Sequence, residues 1–224
     1  MVPNLISEKA DRIGVSEFLR AFPSMMLRPS PQHHVVLRGQ FDFMAQAAGF
    51  EAVSDSFELE ILVPSDFPRT APVVRELGER IPRKADNHLN RAGELCLGSP
   101  LRLLVLLAEA PTLLGFAEKC IIPYLFATSR RLTDGGELAF GELEHGPDSI
   151  LQDYASLFGV DSAMKALGVL HILSMKKRMG NKRRCPCGCG RRLTTCKLHK
   201  RVVKMRALAS RSRFKAEMLY CVVK

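Results

Sequence analysis

Phe57-Glu58-Leu59-Glu60-Ile61-Leu62-Val63 is the stretch on which the fold turns. Phe57, Leu59, Ile61 and Val63 share one face, and Glu58 and Glu60 lie on the other. This period of two is that of a half-buried β-strand. Pro64, Pro68 and Pro72 then interrupt regular structure three times in nine residues. Upstream, Leu37, Gly39, Phe41 and Phe43 alternate with Arg38, Gln40 and Asp42, which predicts a second strand; Val73-Val74 begins a third. Residues 7–20 read as an amphipathic helix with Ser7 as its N-cap and Ile13, Phe18 and Leu19 on its apolar side. Leu101–Leu107 is apolar throughout, and so short a run fits a helix or a strand equally. Pro111 suits a first helical turn, and Leu114, Ala117, Ile121, Leu125 and Thr128 recur at helical spacing to about Arg130. Two more helices are expected over 147–158 and 161–178. The second opens at Asp161 and ends in Lys176-Lys177-Arg178 ahead of Gly180. Helix, antiparallel meander, then helices is the order of an α+β domain.

Composition narrows the class. The chain has 224 residues, 46% hydrophobic and 25% charged, as in a protein that buries a core. No window holds about 18 uninterrupted apolar residues, and Met1-Val2-Pro3-Asn4 lacks the basic, then apolar, start of a secretory signal. The expectation is a cytoplasmic protein with no membrane segment. The net charge of +10 is unevenly spread. From His171 to Lys224 there are 17 Lys/Arg and one acid, Glu217, for +16; the first 170 residues carry −6. Two parts with different surfaces are implied, meeting near residues 171–184. The expected division is a main domain over 1–160, a connecting helix and basic linker over 161–184, and a small basic module over 185–224.

Cys96 lies in His88-Leu89-Asn90-Arg91-Ala92-Gly93-Glu94-Leu95-Cys96-Leu97. Around it the chain resembles a ubiquitin-conjugating enzyme. Pro64-Ser65-Asp66-Phe67-Pro68 followed by Ala71-Pro72 is similar to that family's proline turn between its second and third strands. His88-Leu89-Asn90 and Gly93-Glu94-Leu95-Cys96-Leu97 resemble the stretch leading to its acceptor cysteine. Gly135-Gly136-Glu137 and Phe140–Gly146, which contains His145, resemble the tail of bacterial homologues found in antiphage operons. The similarity covers roughly residues 10–158. Leu89 stands where the family has proline, the His-to-Cys interval is shorter than in eukaryotic relatives, and the chain has no tryptophan.

The resemblance implies a UBC-like meander with flanking helices and a thioester carried on Cys96. It further implies oxyanion stabilisation by Asn90 or Asn87, and a loop-ordering or proton-transfer role for His88, with His145 a weaker candidate. Partners would be an adenylating, ubiquitin-activating-like enzyme, a ubiquitin-like modifier or other protein C-terminus, and an acceptor protein. On residue type alone, a cysteine between two leucines is more often a small buried hydrophobe. Cys120, on the apolar side of its helix, reads as core.

Cys185-Pro186-Cys187-Gly188-Cys189-Gly190 leads to Cys196-Lys197-Leu198-His199. Four sulfur or imidazole ligands within 15 residues, with glycines for tight turns, form a set that tetrahedral zinc accepts. The spacing resembles the SEC-C knuckle at Cys185, Cys187 and Cys196. Lys197 occupies that family's fourth-ligand place, so His199 is the preferred fourth ligand and Cys189 the substitute. A segment this short would draw much of its folding free energy from the metal. Its Arg and Lys suit an acidic protein surface or a nucleic-acid backbone. Phe214 and Tyr220 are the only aromatics after Phe158, which gives little support to base stacking.

The function expected from all this is that of a ubiquitin-conjugating-like transferase in bacterial antiphage defence, docked through a zinc knuckle. The alternatives are a non-catalytic scaffold of the same fold and a zinc-dependent nucleic-acid-binding adaptor.

Overall fold

The computed structural model describes residues 11–30, 35–83, 87–135 and 147–222. They form two compact units, Met1–Glu142 and Leu143–Lys224.

In the first unit, β1 (Met25–Arg28), β2 (Val35–Ala45), β3 (Val53–Val63) and β4 (Val73–Glu76) form one antiparallel sheet in chain order. The quoted stretch sets its register, pairing Phe57 with Phe41 and Ile61 with Leu37. All four side chains are fully buried. On the opposite face Arg38 meets Glu58 at 3.1 Å and Arg75 meets Glu60 at 3.6 Å. Such partly exposed pairs add little stability each but favour this register over a one-residue slip, which would turn the phenylalanines to water.

The buried face is closed by helices. In α1 (Val15–Ala21), Phe18 is fully buried, and Phe22, just beyond the helix, stacks on Phe41 at 4.2 Å between centroids. After α2 (Pro100–Glu109) come α3 (Leu113–Phe116), a π-helical turn (Ala117–Ile121) and α4 (Ile122–Asp134) in one run. Pro123 follows that turn; its ring would crowd the carbonyl four residues back in a regular helix, and a wider turn relieves the clash. Cys120 is buried there, as its position predicted.

Some expectations change. The 101–107 run is helical. The helix expected over 7–20 is interrupted by Gly14, and its proposed cap Ser7 lies outside the described residues. Strand β1 was not foreseen, because with four residues and only Met25 buried it carries no readable alternation.

The second unit is helical: α5 (Pro147–Phe158), α6 (Ala163–Ser174), α7 (Lys177–Lys182), a 3-10 turn (Leu193–Thr195), α8 (Leu198–Leu208) and α9 (Arg211–Val222). The helix expected from 161 to 178 is thus two, divided at Met175. Tyr154, Val169, Leu170, Leu193, Val202 and Phe214 are fully buried, and α9 packs on both α6 and α5. The compact units part at residues 142 and 143, where the sequence suggested divisions at 160 and 184. Helix α5 belongs with the C-terminal unit because its apolar face is covered by α6 and α9, and residues 185–224 share a core rather than forming a separate appendage. Among the described residues no single helix is long and apolar enough to cross a membrane. Asp148–Phe158 and Ala163–Ser174 reach that length and composition only together, with a 73° bend between them.

Candidate functional site

Beyond β4 the chain returns to the sheet edge. Glu76 N–H donates to the Gly93 carbonyl and Leu95 N–H to the Val74 carbonyl, both at 2.8 Å. Leu89 and Leu95 face each other across a single bridge and are buried. Cys96 N–H donates to the His88 carbonyl at 2.7 Å, closing the loop between them. Two leucine anchors thus hold a segment whose next residue, Cys96, is exposed. The other two cysteines outside the 185–196 hairpin are buried. Burial pushes the Cys120 thiol up to about 12, and burial together with the Glu217 charge pushes Cys221 up to about 11. Cys96 is therefore the cysteine outside the hairpin that a large reactant can reach.

The two candidate amides are engaged within this loop. Asn90 Nδ2 donates to Glu94 Oε2 at 2.8 Å, while its Oδ1 accepts from the N–H groups of Ala92 and Glu94, both at 2.9 Å. Asn87 Nδ2 donates to the Pro82 carbonyl at 2.7 Å. Hydrogen bonds from Arg75 and Asn90 hold the Glu94 carboxyl below its usual value. Asn90 thus organises a turn braced through Glu94 to Arg75. His88, at φ 50°, gives the loop its bend and accepts the Cys96 N–H. His145 lies outside the described residues.

Two residues that the sequence reading passed over sit behind this loop. Tyr124 Oη donates to the Asn87 carbonyl at 2.7 Å. Burial pushes its phenol well up, and the Cys96 and Glu76 charges act in the same direction. Glu76 is buried; its Oε1 accepts from Arg80 N–H at 3.1 Å, and its Oε2 has no hydrogen-bond partner among the described residues. The signal for Glu76 was its place on the inward face of β4, and for Tyr124 its place on the helix expected over 111–130.

In the second unit, Cys185, Cys187, Cys189 and Cys196 bring their sulfurs within 4.8 Å of one another. Sulfurs about 2.3 Å from a tetrahedral zinc stand roughly 3.8 Å apart, so this donor set fits that ion in number, kind and spacing. The turn depends on Gly188 and Gly190, at φ 85° and 72°, a backbone region costly for other residues. Gly168 of α6 lets the hairpin close on it, since a Cβ there would lie 2.9 Å from Pro186 Cβ. Hydrogen bonding from Cys185 lowers the Cys187 thiol to about 7, whereas burial drives Cys185 well up. The fourth sulfur is that of Cys189. His199, the preferred fourth ligand on spacing, is not in the cluster; its Nε2 is buried with no hydrogen-bond partner among the described residues. The physical reason is local: helix α8 begins at Leu198 and carries His199 with it, while the Gly188 and Gly190 turn folds Cys189 back toward Cys187.

No protein-family model, curated protein or solved structure matches the chain.

Proposed function

We propose that this protein is a ubiquitin-conjugating-like transferase that carries a protein C-terminus as a thioester on Cys96. The observation that carries this reading is the exposed Cys96 sulfur at the end of a doubly anchored edge segment, with Cys120 and Cys221 buried. The ordered meander ahead of that segment and the helices after it are consistent with a UBC-like fold. In the charging step the Cys96 thiolate attacks the carbonyl carbon of an incoming thioester. A new C–S bond forms, the old one breaks, and the departing thiolate takes up a proton. In the second step an acceptor amine attacks the same carbon, an amide forms, and the Cys96 sulfur leaves and is reprotonated. The oxyanion formed on the way needs a donor. Asn90 serves through its second Nδ2 hydrogen or by exchanging Glu94 for the oxyanion, and His88 keeps Asn90 and Cys96 on one short loop. Zinc, bound by the four hairpin cysteines, would supply structure rather than chemistry, since four protein thiolates would leave no position for substrate. The activating enzyme, the modifier, the acceptor and a role in antiphage defence in the cytoplasm follow from this reading.

The engaged state of both asparagines favours a second reading, a scaffold of the same fold that binds such partners without transfer. The test is non-reducing electrophoresis and mass spectrometry of the protein expressed with its neighbouring genes. A thiol-sensitive adduct on Cys96, lost in Cys96→Ala and converted to a thiol-resistant ester in Cys96→Ser, supports the transferase. Co-purification of a modifier that is never attached to Cys96 supports the scaffold.

A further inference from the structure

The cysteine hairpin arranges charge as well as sulfur. Cys185 N–H donates to the Arg191 carbonyl at 2.8 Å and Leu193 N–H to the Arg183 carbonyl at 3.0 Å, with Arg184 directly opposite Arg192. Residues opposed in this way lie about 5 Å apart between Cα atoms, and like charges so placed destabilise a ribbon. All four arginines are exposed, and none has a carboxylate partner among the described residues of this unit. Lys182 and Lys197, also exposed, flank the hairpin in sequence. Glu217, the one acid after His171, does not relieve this repulsion: it is buried and bonded to Tyr154 and Arg213. Four thiolates on a divalent ion would add about two negative charges, which leaves the +16 segment strongly basic.

We propose that this arginine ribbon binds the phosphate backbone of duplex nucleic acid without reading its sequence. A protein interface needs an apolar or aromatic centre with charge at its rim. The hairpin has no aromatic residue, and its charge is at the centre. The same lack argues against single strands, which are gripped by stacking. Dense, exposed guanidinium groups on a rigid turn match the charge and the bidentate geometry of phosphates.

The test is fluorescence anisotropy of a labelled 30-base-pair duplex titrated with the zinc-containing full-length protein between 50 and 200 mM KCl. Four phosphate contacts predict an affinity loss of about 10²-fold over that range. In Arg191→Gln/Arg192→Gln, with zinc content and circular dichroism unchanged, the slope of log K on log salt becomes shallower by about 2. Absence of binding at 50 mM KCl overturns the proposal, as does an unchanged slope in the folded double variant. Tighter binding to poly-glutamate or to phosphatidylserine vesicles, at equal charge concentration, also overturns it and assigns the patch to an acidic protein or a membrane surface.

Discussion

The Tyr124 hydroxyl reaches across 37 residues of sequence to donate a 2.7 Å hydrogen bond to the Asn87 carbonyl, tying α4 to the head of the segment that presents Cys96. The same oxygen lies 3.5 Å from the His88 carbonyl, which itself receives the Cys96 N–H. The backbone around the exposed sulfur is therefore set from beneath. Tyr124→Phe keeps the ring and removes the donor, at a cost of about 1 kcal/mol. The loss is local to the loop, so the Cys96 amide should exchange with deuterium about fivefold faster while amides in β3 are unchanged. Equal protection in both proteins would show that the two leucine anchors alone hold the loop.

Asp55 links three parts of the first unit. Its carboxylate accepts from Arg80 Nη1 at 2.8 Å and from Ser129 Oγ at 2.7 Å, and Arg80 also donates to the Ser56 carbonyl. Burial acts to raise its pKa, but the bonds from Arg80, Ser129 and the Ser56 N–H outweigh that, and the net value is lowered. A depressed folded-state pKa stabilises the protein above the unfolded value of about 3.9, and that stabilisation fades as pH falls through the folded value. Asp55→Asn should therefore have a lower urea midpoint than the wild type at pH 7. The two midpoints should converge once the pH has fallen below the folded-state value. A constant difference down to that pH would mean that the charge of Asp55 contributes nothing.

How far the sequence went depends on how each element signals itself. The β2–β3 pair was readable because Leu37–Phe43 and Phe57–Val63 alternate, so burial and periodicity agree over the middle of β2 and the second half of β3. The cysteine cluster was readable from spacing alone. The turn at Gly188 and Gly190 brings Cys189 to the other three sulfurs, and α8 starts just before His199; neither is encoded in ligand spacing. Helices α8 and α9 were hidden because their basic residues mask a sparse apolar stripe of Val202, Met205 and Phe214 that makes sense only against α5 and α6. The engagement of Asn90 by Glu94 is a contact within a turn, invisible to a motif comparison that reads residue types in order.

Glu217 is the polar pin of the second unit. Its Oε2 accepts from Tyr154 Oη at 2.7 Å and its Oε1 from Arg213 Nε at 2.9 Å, joining α9 to α5. Tyr154→Phe leaves a buried carboxylate oxygen without that donor, which should destabilise the unit by about 1.5–3 kcal/mol. Adding Glu217→Gln should recover part of this, since a neutral amide is cheaper to bury than a carboxylate that has lost one of its two donors. Chemical denaturation of the two variants measures both effects. A loss no larger than a few tenths of a kcal/mol in Tyr154→Phe would show that water replaces the phenol without cost.

Metal removal separates what the hairpin needs from what the unit needs. The helices around it have their own buried centre in Tyr154, Phe158, Val169, Leu170 and Phe214, so their folding does not rest on the ion alone. Hairpin residues 185–196 are held chiefly by their sulfurs, a few backbone bonds and Leu193. Chelation should therefore abolish hydrogen-exchange protection at Cys185 and Leu193 while α5, α6 and α9 keep most of theirs. Elemental analysis should give one zinc per chain for the wild type and for His199→Ala. Cys189→Ser should lower affinity at least tenfold, because a hydroxyl is a poor substitute for a thiolate at a soft site. Zinc loss in His199→Ala with full retention in Cys189→Ser would reverse the ligand assignment. Collapse of all the helices on chelation would return the unit to the metal-dependent fold that its length first suggested.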